Sequence, residues 1–203
     1  MGKIFFLICL LFSAHLISGC VVLSFDPIYS DDNKIETPAS LIGQWNVIKL
    51  TGSDVSDKKI DPWNFKVDKV LVFDEHNVPA EINLVFFKVD DLIYCDVEPA
   101  SVDEGKINFY WLLLVVPFHS ICQVKIEEDT LILTPLNYDW LKDAIEEKKV
   151  SVPAYEYKME DITLFKSEPV EWVHFLRKYG ADPEAFSDEN AFVFKRNKTS
   201  DSH

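Results

Sequence analysis

Thiols, imidazoles and paired carboxylates are the side chains of this sequence that could do chemistry. The histidines that follow the apolar N-terminal stretch are His76, His119, His174 and His203. None of them has a partner at metal-ligand spacing, and no His-Glu-x-x-His occurs. No Gly-x-Ser-x-Gly elbow and no glycine-rich phosphate loop is found, in a chain with only 6 glycines. No cofactor or metal is therefore called for, and the chain reads as a non-enzyme. His119 lies in an apolar run and is expected to be buried. It is either a hydrogen-bonded core histidine, the commoner case, or a ligand contact or proton carrier. The acid pairs Asp90-Asp91 and Glu127-Glu128 fall between apolar runs and read as solvated turn residues. General acid–base work needs a cleft that shifts a carboxyl pKa.

Of the four cysteines, Cys9 and Cys20 belong to the N-terminal region. Met1-Gly2-Lys3 precedes an apolar run over residues 4–12, and Ile17-Ser18-Gly19-Cys20 closes the stretch. A cationic start, an apolar middle and small residues at the end make a signal peptide. The apolar run is shorter than the roughly 20 residues a membrane span needs. The segment resembles the signal of bacterial lipoproteins. That resemblance implies cleavage before Cys20 and attachment of diacylglycerol to its thiol, with the membrane reached through N-terminal acyl chains. Val21 stands where the family's inner-membrane retention signal has Asp. The expected location is therefore the outer membrane, facing the periplasm.

The remaining thiols, Cys95 and Cys122, sit in alternating apolar runs (Ile93, Cys95, Val97 and Cys122, Val124, Ile126) and are expected to face one interior. An oxidising compartment permits a disulfide between them. Two buried free thiols are the other reading, and the sequence leaves both open.

The chain has a net charge of -14. The signal contributes only Lys3, so its removal takes the charge from -14 to -15. Such a surface repels phosphate backbones and anionic headgroups, so no nucleic-acid partner is expected.

The elements that must hold these residues follow from periodicity. Residues 1–19 are the signal, 20–39 a tether interrupted by Pro27 and Pro38, 40–196 one folded domain, and 197–203 a disordered tail. The tail opens on Asn197-Lys198-Thr199. Strands are expected over residues 44–50, 67–73, 81–89, 92–97, 119–126, 130–133, 161–165 and 191–194, with 51–65 as loop. The apolar stretch 109–116 reads as a buried strand or wall segment. Asn137 is placed to cap a helix with Leu141, Ala144 and Ile145 on one face, closed by Lys148 and Lys149. Ser167 is placed to cap a second, with Val173, Leu176 and Tyr179 as its stripe and Gly180 as a left-handed end. The fold class is mainly β: an antiparallel barrel of about eight strands with two helices in the C-terminal third.

At Gly43-Gln44-Trp45 the first strand resembles the Gly-x-Trp of lipocalins and related calycins. The resemblance implies that Trp45 lies under the open end of a barrel and that Arg196, after the last strand, packs over its ring as a floor pair. The second motif of that family is not evident here. Residues 131–140 and 167–186 also resemble uncharacterised bacterial lipoproteins without an assigned activity.

Two functions follow as expectations. In the first, an eight-stranded barrel holds one small apolar ligand. Phe86, Phe87, Tyr94, Phe109, Tyr110 and Trp111 are then available to line a cavity, although filling a core is the commoner role of such residues. In the second, a solid-cored protein docks an envelope partner through the helices, where Trp140 and Trp172 fall off the main apolar stripes.

Overall fold

The computed structural model describes residues 22–50, 53–74, 76–100, 118–150, 154–155 and 164–197. The signal, Cys20, the apolar stretch 109–116 with Phe109, Tyr110 and Trp111, and His203 lie outside the described residues.

In chain order the strands are β1 (Leu23–Ser24), β2 (Gly43–Leu50), β3 (Ser53–Asp54), β4 (Trp63–Lys66), β5 (Lys69–Phe73), β6 (Pro79–Val89), β7 (Leu92–Pro99), β8 (Ser120–Glu127) and β9 (Thr130–Pro135). Helix α1 (Tyr138–Glu146), β10 (Ala154–Tyr155), β11 (Leu164–Phe165), α2 (Pro169–Tyr179), a 3₁₀ turn (Asp188–Asn190) and β12 (Phe192–Arg196) follow. Each of β2, β4, β5, β6, β7, β8 and β9 pairs antiparallel with the next, and β12 pairs with both β9 and β2. The result is a closed eight-stranded antiparallel barrel, as expected from the sequence. Closure leaves no long edge to template another chain.

The membership of the barrel differs from the expectation. Trp63-Asn64-Phe65-Lys66, read as loop, forms β4 and pairs with β2 and β5. Two ring-bearing residues at alternate positions suffice, because Phe65 enters the core. The strand expected at 161–165 contributes Leu164–Phe165 to a separate sheet with β1 and β10.

The period of two sorts the side chains onto two faces. Leu84 and Phe86 of β6, Cys95 of β7, and Cys122 and Val124 of β8 point into the barrel with Trp45, Phe65, Leu131 and Phe194. Phe87, Val89, Tyr94 and Ile121 point outward and build a second core under the helices with Leu141, Phe165, Trp172 and Phe175.

Asn137 caps α1 by accepting from the backbone N–H groups of Asp139 and Trp140. Ser167 does not cap α2. The cap is Glu168, which forms a capping box with Glu171, while Ser167 is buried one residue earlier. The buried stripe of α2 is Trp172, Phe175 and Leu176, at i, i+3 and i+4; of the expected stripe Leu176 is buried, while Val173 and Tyr179 flank the core, half-buried. Gly180 is right-handed (φ -62), not a left-handed end. A Cβ there would come within 2.0 Å of Tyr94 Oη, so the glycine answers a close approach.

The largest difference is the tether. Residues 22–35 do not stand off but lie as a strap across the outer face of the barrel. Val22, Ser24 and Ile28 are buried. Ser24 and His119 exchange backbone hydrogen bonds of 2.8 and 2.9 Å. Ile35 N–H donates to Phe86 O, and Lys88 N–H to Asn33 O. Two apolar side chains and the backbone groups of β6 and His119 outweigh the turn-rich composition between them. No described helix is long and apolar enough to cross a membrane.

Candidate functional site

At one end of the barrel the structure brings Trp45 and Arg196 together. They are register partners on β2 and β12. The Arg196 guanidinium carbon lies 4.3 Å from the centroid of the Trp45 ring. Arg196 Nη1 and Nη2 donate to the carbonyls of Ile42 and Ser40, and Trp45 Nε1 donates to Leu41 O at 2.7 Å. The fork of the guanidinium thus ties the chain entering β2 to the end of β12. Gly43 has φ +124, and a Cβ at that position would meet Arg196 Nη1 at 3.7 Å. The glycine of Gly-x-Trp supplies a backbone conformation that other residues rarely adopt.

Above this floor aromatic rings pack across the barrel. Phe65 and Phe194 stack edge-on with centroids 6.0 Å apart, and Trp63 lies 4.9 Å from Phe194 and 6.3 Å from Phe192. Trp63 Nε1 donates to Phe73 O at 2.9 Å, which fixes the indole plane. The column ends at a pocket of about 560 Å³. Leu50, Val55, Trp63, Val72, Phe73 and Phe192 form much of its wall, with Ser53, Lys58 and Asp74 among the exposed lining residues. Along β2 and β12 the pocket lies at the ends away from Trp45 and Arg196, so it is the mouth of the barrel. Its volume falls within the roughly 300–1,000 Å³ of small-molecule sites. Asp74 accepts from Val78 N–H and His76 N–H at 2.9 and 2.8 Å. The Val78 bond above all holds its carboxyl below the usual range, so this acid is committed to its turn.

Of the aromatics that the sequence offered for a cavity, the three among the described residues, Phe86, Phe87 and Tyr94, do not line this pocket. Phe86 is inside the barrel, and Phe87 and Tyr94 are stacked on the outer face, 5.5 Å apart. Trp63 and Phe192 were missed. Their signal was an aromatic at the first residue of a short strand, facing another across the barrel.

His119 is half-buried on the outer face beneath the strap. Its Nδ1 lies 2.9 Å from Asp96 Oδ1 and its Nε2 3.7 Å from Glu98 Oε2. Asp96, only 1% exposed, also accepts from Ile28 N–H at 2.8 Å. The bond to Asp96 raises the His119 pKa, against the opposing effect of burial, and the charges of Glu98 and Asp26 add to the rise. The histidine is hydrogen-bonded as in the first reading, but it sits half-buried at the edge of the outer core instead of within it. Its partner Asp96 was missed, although an acid inside an alternating strand, away from any turn, is itself a signal. Among the described residues no cluster of His, Cys, Asp and Glu could hold a metal ion.

Cys95 and Cys122 are brought directly opposite each other on β7 and β8. Both are buried, and both are free thiols. Asp90 and Glu128 occupy left-handed turn positions (φ 53 and 49), as solvated turn residues would. Trp140 and Trp172 form no exposed patch. Trp172 is fully buried between Phe165 and Phe175, and Trp140 packs edge-on against Phe175 and Tyr179. Comparison with protein-family models, with curated proteins and with solved structures finds no match, so the fold and this geometry carry the functional reading.

Proposed function

We propose that this chain is a lipid-anchored envelope protein that holds a small apolar molecule in the mouth of its barrel. The observation that carries the reading is the pocket between Trp63, Val72 and Phe192, above a column of packed aromatic rings. An apolar wall on a rigid sheet recognises shape and hydrophobicity, and the aromatic column beneath it limits depth to one small ligand. The reading is of a binding protein, because the pocket wall is largely apolar and its acid, Asp74, is engaged by its own turn. The anchor rests on the resemblance of residues 1–20 to a lipoprotein signal, and the localisation in the outer membrane rests on Val21.

Binding is tested with N-phenyl-1-naphthylamine, a neutral apolar probe, followed by its own emission and by quenching of tryptophan fluorescence. Ala80 lines the pocket and is exposed, so Ala80→Trp fills the mouth from the rim. The expected result is an affinity at least about tenfold weaker, equivalent to ~1.4 kcal/mol, with an unchanged far-UV spectrum. Equal binding by the variant, or none by either protein, rejects the pocket. The anchor is tested by the mass of the mature N-terminus, where a bare sulfur at Cys20 would reject it.

A further inference from the structure

We propose that Cys95 and Cys122 close a cross-strand disulfide in the wall of the barrel when the chain folds in the presence of a disulfide oxidant. The two residues are Cα partners in the β7–β8 ladder, and both side chains point into the barrel. The ladder also fixes which kind of pair they form. Leu136 N–H donates to Ile121 O, and His119 exchanges both bonds with Ser24, so the odd residues of β8 turn their backbone away from β7. Ala100 N–H donates to Glu81 O, so the even residues of β7 turn theirs towards β6. Cys95 and Cys122 therefore face each other as a hydrogen-bonded pair, whose Cα atoms stand about 5.5 Å apart. Disulfides take Cα separations of about 4.4–6.8 Å, most often 5.5–6 Å. Both thiols are buried and free, so no other partner holds either sulfur in a disulfide.

The chemistry is two successive exchanges with an external disulfide such as oxidised glutathione. One protein thiolate attacks a glutathione sulfur, forms a mixed disulfide and releases one glutathione thiolate. The second protein thiolate attacks the protein-side sulfur, closes the bridge and releases the other. The two protons lost by the protein thiols pass through solvent to the released glutathione thiolates, and the two electrons have reduced the glutathione S–S bond to two thiols. Burial decides when this happens. Cys95 is 1% exposed and Cys122 9%. The oxidant therefore reaches them before the barrel is complete, and native pairing then brings the two sulfurs together.

Trypsin separates the pair cleanly, because Lys88, Lys106 and Lys125 place Cys95 in fragment 89–106 and Cys122 in fragment 107–125. The full chain is unfolded in guanidinium and refolded with oxidised glutathione, with reduced glutathione, or held unfolded with oxidised glutathione. Free thiols are then alkylated and the fragments weighed. The expected result is a linked 89–106/107–125 peptide in most of the chains refolded with oxidised glutathione and in none refolded with reduced glutathione. Its yield should be at least about tenfold higher than in the chain held unfolded, since folding supplies the proximity. Alkylated fragments alone, pairs between identical fragments, or equal yields with and without folding would overturn it. The readout is on the natural sequence, so it does not depend on whether Cys95→Ser folds.

Discussion

At the scale of single residues, Gly180 and His119 show how a position is chosen by what lies opposite it. Gly180 has a right-handed backbone, and alanine would be preferred there by up to about 1 kcal/mol on propensity alone. The space decides otherwise. Tyr94 is fully buried and stacked on Phe87, so its hydroxyl, 2.0 Å from the added Cβ, cannot swing away freely. Overpacking of this kind costs about 1–3 kcal/mol. Gly180→Ala should therefore lower the unfolding free energy by about that much in urea titrations, whereas an exposed C-cap glycine would show a gain.

His119 contributes a pH dependence whose sign follows from its environment. Its folded pKa is raised, chiefly by the bond to Asp96, above the roughly 6.5 of an unfolded histidine. The imidazolium thus stabilises the fold fully below about pH 6.5. That stabilisation is lost as pH rises through the folded pKa. Asp96, Glu98 and Asp26 act on the ring, and removal of its charge leaves them with less compensation. The stability difference between the wild type and His119→Gln should be largest near pH 6 and shrink towards pH 9 in urea titrations at fixed ionic strength. Part of the difference should persist, because removing a partner from a buried carboxylate costs about 1–3 kcal/mol in hydrogen bonding alone.

At the scale of elements, the strap over residues 22–35 carries stability that its composition conceals. Ile28 is fully buried in the outer core. Ile28→Ala should cost about 2–5 kcal/mol, the range for a buried large-to-small change, measured by the midpoint of thermal or urea unfolding. A free tether would show no change.

What the sequence made readable, and what it hid, divides along the same line. Strands β5 to β9 were visible because apolar residues alternate for several positions between polar turns, and α1 because Asn137 precedes a helical stripe. The strap was hidden because Val22 and Ile28 have no common period, and Pro27, Asp31 and Asp32 carry a loop composition. Strand β4 was hidden by its length: Trp63 and Phe65 are only two inward positions in an otherwise acidic and basic stretch. In α2 the pattern Val173, Leu176, Tyr179 marks the edge of the buried face, whose centre is Trp172 and Phe175. Trp172 then looked like a surface anchor when it is the centre of a core. The Trp45–Arg196 pair was readable from the resemblance. The mouth pocket was not, because its wall is assembled from the ends of β2, β4, β5, β6 and β12, which no local pattern connects.

At the scale of the whole molecule, one sheet serves two cores, and Arg196 joins its first and last strands. A guanidinium over an indole contributes about 0.5–2 kcal/mol. The donations to Ser40 and Ile42 add to that, and only a planar fork reaches both carbonyls. Arg196→Ala should therefore destabilise the barrel by about 1–3 kcal/mol in urea unfolding, and Arg196→Lys should recover less than half of the loss. The mouth lies at the far ends of β2 and β12, so ligand affinity in the folded Arg196→Lys protein should stay within about twofold of wild type.

Packing that begins at Val22 also sets how this molecule could move on a surface. A flexible leash of eighteen residues would let a body wander about 20–25 Å from its point of attachment. A mooring at position 20 leaves one residue of slack, about 3.5 Å. With the proposed lipid on Cys20, the body would be held close to the surface it is attached to, without the reach that a free leash gives.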